Sequence, residues 1–203
     1  MSRTHSLVAL LGAAAATAAT LLLDPWAFQH LVLPSVYDHD WGRFLRVYGS
    51  LVLWAPLALC VWLEARARAP ERTRQAGLVL LGPLAAGGVT ELIKILVRRE
   101  RPNLHDGAYV FRPFGDRPFY TGDIGFPSSH AMVAFAGAAV LARLFPRTAP
   151  VVYLLAAGCG LTRILAHAHF ASDVVAGAIG GWAVVALLWR WLGSPSSGKA
   201  ARA

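Results

Sequence analysis

Charge is scarce in this chain. Only 15% of its 203 residues are Asp, Glu, Lys or Arg, where ordinary soluble domains carry roughly a quarter. Cysteine is nearly absent. Cys60 and Cys159 both sit inside apolar runs, with no CxxC pair and no histidine at ligand spacing, which excludes a disulfide framework or a zinc site and leaves them as packing residues. There is no carboxylate cluster. Asp106, Asp116 and Asp123 are scattered through a Gly- and Pro-containing stretch and read as turn residues, so no metal and no other cofactor is expected. There is also no basic run interleaved with aromatics. Despite a net charge of +8, nucleic acid is therefore not an expected partner. No internal repeat and no separate soluble domain is visible.

What the chain has in quantity is apolar sequence, at 56% of residues. A helix needs about 20 apolar residues to cross the hydrocarbon core. Six runs qualify as candidates: Ser6–Leu23, Val47–Leu63, Ala76–Val97, His130–Phe145, Pro150–Ala166 and Val174–Leu192. They predict an all-α, six-span transmembrane bundle over residues 1–193, followed by a short polar tail, 194–203, expected to be disordered. A cleaved signal peptide is the alternative reading of the first run, but that run exceeds the usual apolar stretch of such a signal.

Orientation follows from Lys and Arg in the connections. With the N-terminus inside, the inner segments hold Arg3, then Arg66, Arg68, Arg72 and Arg74, then Arg143 and Arg147, then Arg190, Lys199 and Arg202. The outer connections are basic too, with Arg43 and Arg46, then Arg98, Arg99, Arg101, Arg112 and Arg117. The bias becomes clear only if part of that outer cluster serves function. On that basis both termini are expected in the cytoplasm of a bacterial inner membrane. Trp26, Tyr37 and Trp41, and Phe111, Phe114, Phe119 and Tyr120, read as interfacial aromatics.

Three polar clusters lie at run ends. Lys94 to Pro102 closes the third run, Pro127-Ser128-Ser129-His130 opens the fourth, and Arg163 to Asp173 joins the fifth to the sixth. An up-and-down topology brings all three to one side of the membrane. Lys94, Arg101 and Arg163 are cations at one depth, and like charges so placed repel unless an anion lies between them. A phosphoryl group fits, since arginine grips it bidentately. Any one of the three alone would read as a side chain reaching for lipid headgroups, and Glu91 offers Lys94 an intrahelical partner. Pro127-Ser128-Ser129 reads as a helix start, whose free N–H groups bind anions.

His169 and Asp173 are four residues apart, which on a helix puts them on one face. The carboxylate can then accept from one imidazole nitrogen and leave the other to attack phosphorus. His130 is a second imidazole, suited to protonate the leaving group. His167 lies six residues before Asp173 and off that face, so it reads as structural.

The full pattern resembles the type 2 phosphatidic acid phosphatase superfamily of membrane lipid phosphatases, whose signature is K-x6-R-P, P-S-G-H and S-R-x5-H-x3-D. Here it is carried by Lys94, Arg101 and Pro102, by Pro127, Ser128 and His130, and by Arg163, His169 and Asp173, with every spacing matched. Nine positions at set spacing form a specific signal. Two positions depart: Ser129 stands for the family's glycine and Thr162 for its serine. The resemblance implies that His169 forms a phosphohistidine and that Asp173 orients it. His130 acts as acid and then base. Lys94, Arg101, Ser128, Ser129 and Arg163 hold the phosphate. Vanadium-dependent haloperoxidases carry a similar set, but they are soluble.

The expected function is therefore hydrolysis of a lipid phosphomonoester or isoprenyl pyrophosphate at the outer face. A phosphotransferase using the same phosphohistidine shares every residue, and a non-catalytic transporter or scaffold is the reading from another class. Phosphatidic acid, phosphatidylglycerol phosphate, an isoprenyl pyrophosphate such as undecaprenyl pyrophosphate and a lipopolysaccharide lipid phosphate all suit the chemistry. The connection 103–126, with Arg112, Arg117 and its aromatics, is expected to shape headgroup choice.

Overall fold

A computed structural model describes residues 3–193, apart from the side chains of residues 3–11 and of Glu71. The tail 194–203, with Lys199 and Arg202, lies outside the described residues, as does the side chain of Arg3. Seven α-helices follow in order: α1 (Arg3–His30), α2 (Asp40–Tyr48), α3 (Leu51–Arg68), α4 (Thr73–Val97), α5 (Ser129–Leu144), α6 (Ala149–Leu165) and α7 (Ala171–Leu192). Strand pairing among the described residues is limited to two isolated bridges, Arg99 with Phe111 and Glu100 with Ile124. The fold is all-α, as the apolar runs require.

Five of the six runs each fall essentially in one helix and the second in two, and length and apolarity separate them. Among the described residues α4, α7 and α6 with its preceding turn are long and apolar enough to cross a membrane, and α2 with α3 makes a fourth if that bent pair is one span. Helix α5 is apolar but has only 16 residues. The second run was expected as one helix and is in fact broken, with α2 and α3 meeting at 65°. The Gly49-Ser50 pair explains the break. A Cβ at Gly49 would lie 2.6 Å from the His130 carbonyl and 2.7 Å from Cys159 Sγ, and Ser50 caps α3 by accepting from Val52 N at 3.3 Å.

Helix α5 is the centre of the bundle and packs on α7, α4 and α6. Most of its inward positions are small: Ala131, Ala134, Ala136, Ala138 and Ala139 are buried beside Met132, Val133 and Val140, and Gly137 faces the Trp54 indole so closely that a Cβ has no room. Small residues let backbones approach where lipid supplies no hydrophobic drive. Helix α1 packs on α7, α3 on α4 and α2 on α6. Outward faces carry Leu22, Val52, Leu92, Leu96, Leu154 and Trp191, all well exposed, the surface of a membrane protein.

Candidate active site

All three polar clusters meet at one end of the bundle, as their placement at run ends requires. Lys94 lies in the last turn of α4 and Arg163 in the last turn of α6. Arg101 follows α4, Ser128 caps α5, and His169 precedes α7. Backbone hydrogen bonds tie the pieces together: Ser128 N donates to Asp173 O at 3.0 Å, Arg101 N to Asp123 O at 3.0 Å and Gly125 N to Arg99 O at 2.7 Å. The N-cap of α5 works as expected, with Ser128 Oγ accepting from Ala131 N at 3.5 Å, which leaves its own proton to donate.

His169 departs from its expected setting. It lies before α7, so the shared-face argument does not describe it. Its Nδ1 is 2.8 Å from the Gly125 carbonyl oxygen and 3.6 Å from Asp173 Oδ2. A carbonyl only accepts, so Nδ1 carries the proton and Nε2 keeps its lone pair. Asp173 turns to other donors: Oδ2 accepts from Phe170 N at 2.8 Å, the cap of the α7 N-terminus, and Oδ1 receives Arg99 Nη2. Burial lowers the His169 pKa to about 4, outweighing the Asp173 carboxylate, which acts the other way, while Arg163 and Arg101 push it further down. The imidazole is neutral at pH 7.

The three cations are set differently. Lys94 Nζ pairs with Glu91 Oε1 at 3.1 Å. Glu91 also takes Thr121 Oγ1 at 2.5 Å and Ser129 Oγ at 3.3 Å. Arg163 Nη1 donates to Tyr37 Oη at 2.7 Å, and Tyr37 Oη to Thr162 O at 3.1 Å. The Nε atoms of Arg101 and Arg163 are buried with no partner. Burial lowers the Arg101 pKa and the neighbouring Arg163 charge adds to it. Mutually repelling guanidinium groups whose Nε donors are buried and unpaired favour an anion between them. His130 stands in the same field, near the charges of Arg163, Arg46 and Arg101.

Several contributors went unread in the sequence. Tyr37 reaches the site instead of serving only as an interfacial aromatic. Arg99, Gly125, Ser172 and Asp24 surround His169 and Asp173, and no spacing singles them out. His167 has a left-handed φ of 53° and its ring stacks on Phe28 of α1 at 4.2 Å.

The connection 103–126 is held internally. Arg112 is buried and bonds Glu100 Oε1 at 2.6 Å, Asp123 Oδ2 at 3.1 Å and Tyr120 O at 3.1 Å. Arg98 grips the carbonyls of Arg112, Pro113, Asp116 and Pro118. Burial raises the Glu100 pKa, but bonds from His105 and Arg112 prevail and hold it below the usual carboxylate range. Asp106 is a turn residue with φ 48°, whereas Asp123 is an ion-pair partner of Arg112 and Arg117. Arg112, one of the arginines of this connection, is occupied within the protein. Arg117 remains exposed.

The sequence profile of the PAP2 superfamily matches residues 75–195, more than half of the chain. This chain belongs to the PAP2 superfamily. It is 38% identical over 100 residues to the lipid A 1-phosphatase of Rhizobium etli, covering 48% of this chain and 42% of that protein. It is 35% identical over 119 residues to the decaprenylphosphoryl-5-phosphoribose phosphatase of Mycobacterium tuberculosis, covering 59% and 62%. The matches thus span less than two thirds of either relative's length. The transmembrane PAP2 type phosphatidylglycerolphosphate phosphatase of Bacillus subtilis shares the fold, with a TM-score of 0.62 over 91% of this chain and 92% of that one at 20% identity.

Proposed function

We propose that this protein is an integral membrane lipid phosphatase that hydrolyses a lipid phosphomonoester or isoprenyl pyrophosphate through a phosphohistidine on His169. The observation that carries the reading is the held imidazole. Its Nδ1–H is bound by Gly125 O at 2.8 Å, its Nε2 lone pair is free, and the unpartnered Nε atoms of Arg101 and Arg163 belong to the same cluster.

Nε2 of His169 attacks phosphorus, and the bond from phosphorus to the lipid oxygen breaks. His130 gives that oxygen its proton, so the lipid leaves as an alcohol or, from a pyrophosphate, as the monophosphate. The now basic His130 takes a proton from water, whose oxygen attacks phosphorus as the P–N bond breaks. Lys94, Arg101, Arg163, Ser128 and the N–H groups at Ser129 stabilise the phosphoryl oxygens. Asp173 stabilises the positive charge that develops on the His169 ring.

The lipid relatives support an anionic lipid substrate, and the outward leucines support access from the bilayer. The same reading has all six apolar runs crossing the membrane in a single domain over 1–193, the termini cytoplasmic and the site on the outer face of a bacterial inner membrane. The test is phosphate release in detergent with EDTA from phosphatidic acid, phosphatidylglycerol phosphate, an isoprenyl pyrophosphate and a lipopolysaccharide lipid phosphate. Release by the wild type and none by His169→Ala is expected. Equal release by both overturns the nucleophile, and none by either overturns the hydrolase.

A further inference from the structure

We propose that Arg99 is a positioning residue of this site, holding both groups that orient His169, and that Asp24 of α1 anchors it through Ser172. The proposal rests on the reading of His169 as nucleophile.

Arg99 meets the two neighbours of Nδ1 by two routes. Its backbone carbonyl accepts from Gly125 N at 2.7 Å, and Gly125 O is the acceptor for His169 Nδ1. Its Nη2 donates to Asp173 Oδ1. With Phe170 N on Oδ2, each oxygen of the carboxylate is fixed. One residue therefore sets the carbonyl and the carboxylate between which the imidazole N–H lies.

Arg99 is itself held. Its guanidinium carbon lies 4.9 Å from the Phe126 ring centre and 5.2 Å from those of Tyr109 and Phe170. Planar guanidinium stacks on such faces, and a lysine ammonium does not reproduce the fit. Nη2 also donates to Ser172 Oγ at 2.8 Å. A hydroxyl has one proton, and Ser172 Oγ gives it to Asp24 Oδ2 at 2.5 Å. Asp24 Oδ1 accepts from Ser172 N at 2.9 Å, and Tyr109 Oη donates to Oδ2 at 2.8 Å. The chain of bonds runs in one direction, from Arg99 through Ser172 to Asp24, and all three residues are buried. Its Nε is buried without a hydrogen-bond partner, so the bonds through Nη2 and the three aromatic faces are what hold this buried cation. This one is spent on the carboxylate beside the nucleophile. Asp24 lies ahead of the stretch matched by the PAP2 profile, so the anchor is supplied from outside it.

The test uses full-length protein in detergent and the best-hydrolysed lipid. Arg99→Ala is expected to lower kcat about 100-fold, the scale of a small misplacement of a reacting group, with KM within about threefold. Guanidinium ions should restore about a tenth or more of the lost rate where equal urea does not. Arg99→Lys should stay at least about tenfold down and Asp24→Asn about tenfold down in kcat. Arg99→Lys keeps the charge, and so decides the matter if Arg99→Ala does not fold. A folded variant with unchanged kcat, or a joint loss of kcat and affinity without rescue, overturns the proposal.

A second measurement needs no turnover. Nitrogen NMR of histidine-labelled protein, with His169 signals assigned by their loss in His169→Ala, should give one Nδ1–H tautomer in the wild type and a mixture in Arg99→Ala or Arg99→Lys. An unchanged tautomer overturns the positioning role. A changed tautomer in a protein that hydrolyses no lipid upholds it while the phosphatase reading falls.

Discussion

The Gly125 carbonyl is nearer to His169 Nδ1 than the Asp173 carboxylate is, at 2.8 against 3.6 Å. A backbone oxygen therefore sets the tautomer, and in the proposed mechanism the carboxylate meets the charge that attack creates. Gly125 has little room to change. A Cβ there would lie 3.1 Å from Asp173 Oδ2, 3.2 Å from Glu100 O and 3.4 Å from the Arg101 Cα. Gly125→Ala is expected to lower kcat by at least about tenfold with KM within about threefold, because the carbonyl and the carboxylate are pushed apart by a few tenths of an ångström. Steady-state phosphate release checks it, and wild-type kcat in the variant would rule the carbonyl out as the orienting group.

His169 should titrate far below a solvent-exposed imidazole. Burial dominates, and Arg163 and Arg101 act the same way, giving a pKa of about 4. The sign follows directly. The folded site binds its proton only below that value, while the unfolded chain binds it near 6.5, so the unfolded state holds more protons between the two and stability falls as pH drops through that window. Histidine NMR across pH 3.5–7.5 should place the midpoint near 4 in the absence of phosphate, and an ordinary midpoint near 6.5 would contradict the burial argument. Phosphate brings negative charge to the cations and should raise the midpoint.

The sequence made the helices and the convergence of the three polar clusters legible for one reason: both are periodic or fixed in spacing. Lys94 and Arg101, Ser128 and His130, and Arg163 and His169 stand at helix ends, so the topology alone brings them together. What stayed hidden has no local signature. Arg99 sits between two motif residues and reads as one more loop arginine, and Asp24 meets Ser172 across 148 positions. The break at Gly49 was invisible because the apolar run continues through it. Arg112 reads as one more loop arginine until Glu100 and Asp123 are seen to hold it.

Ser129 tests how much the family's glycine matters. Its hydroxyl reaches Glu91 Oε1 at 3.3 Å, and the same oxygen pairs with Lys94. Ser129→Gly keeps the backbone N–H that the phosphate is proposed to use, and kcat should stay within about threefold. Glu91→Gln removes the charge that neutralises Lys94, so phosphate should bind about threefold or more tightly, since a buried cation gains from the anion once its carboxylate is gone. Steady-state phosphate release measures the first, and inhibition by inorganic phosphate the second. A looser fit in Glu91→Gln would mean that Glu91 aims Lys94 at the phosphate, and does not merely neutralise it.

Arg112 should govern the stability of its connection and leave headgroup choice untouched. Its guanidinium joins Glu100, Asp123 and the Tyr120 carbonyl, and Glu100 in turn holds His105 at 2.5 Å. Removing one partner of a buried pair leaves the other charge uncompensated. Arg112→Ala is expected to lower the temperature of half-inactivation in detergent by about 5 °C or more, the shift that roughly 2 kcal/mol produces in a chain of this length. Arg117 is exposed, and its ion pairs among the described residues are with Asp116 and Asp123 at 3.3–3.4 Å; surface pairs of this kind contribute less than about 1 kcal/mol. Arg117→Ala should leave that temperature within about 2 °C, and being free to meet a headgroup it should alter the ranking of lipid substrates. Thermal inactivation and the lipid panel, run on both variants, separate the two roles. A changed ranking in Arg112→Ala at unchanged stability would show that the buried arginine faces the substrate after all.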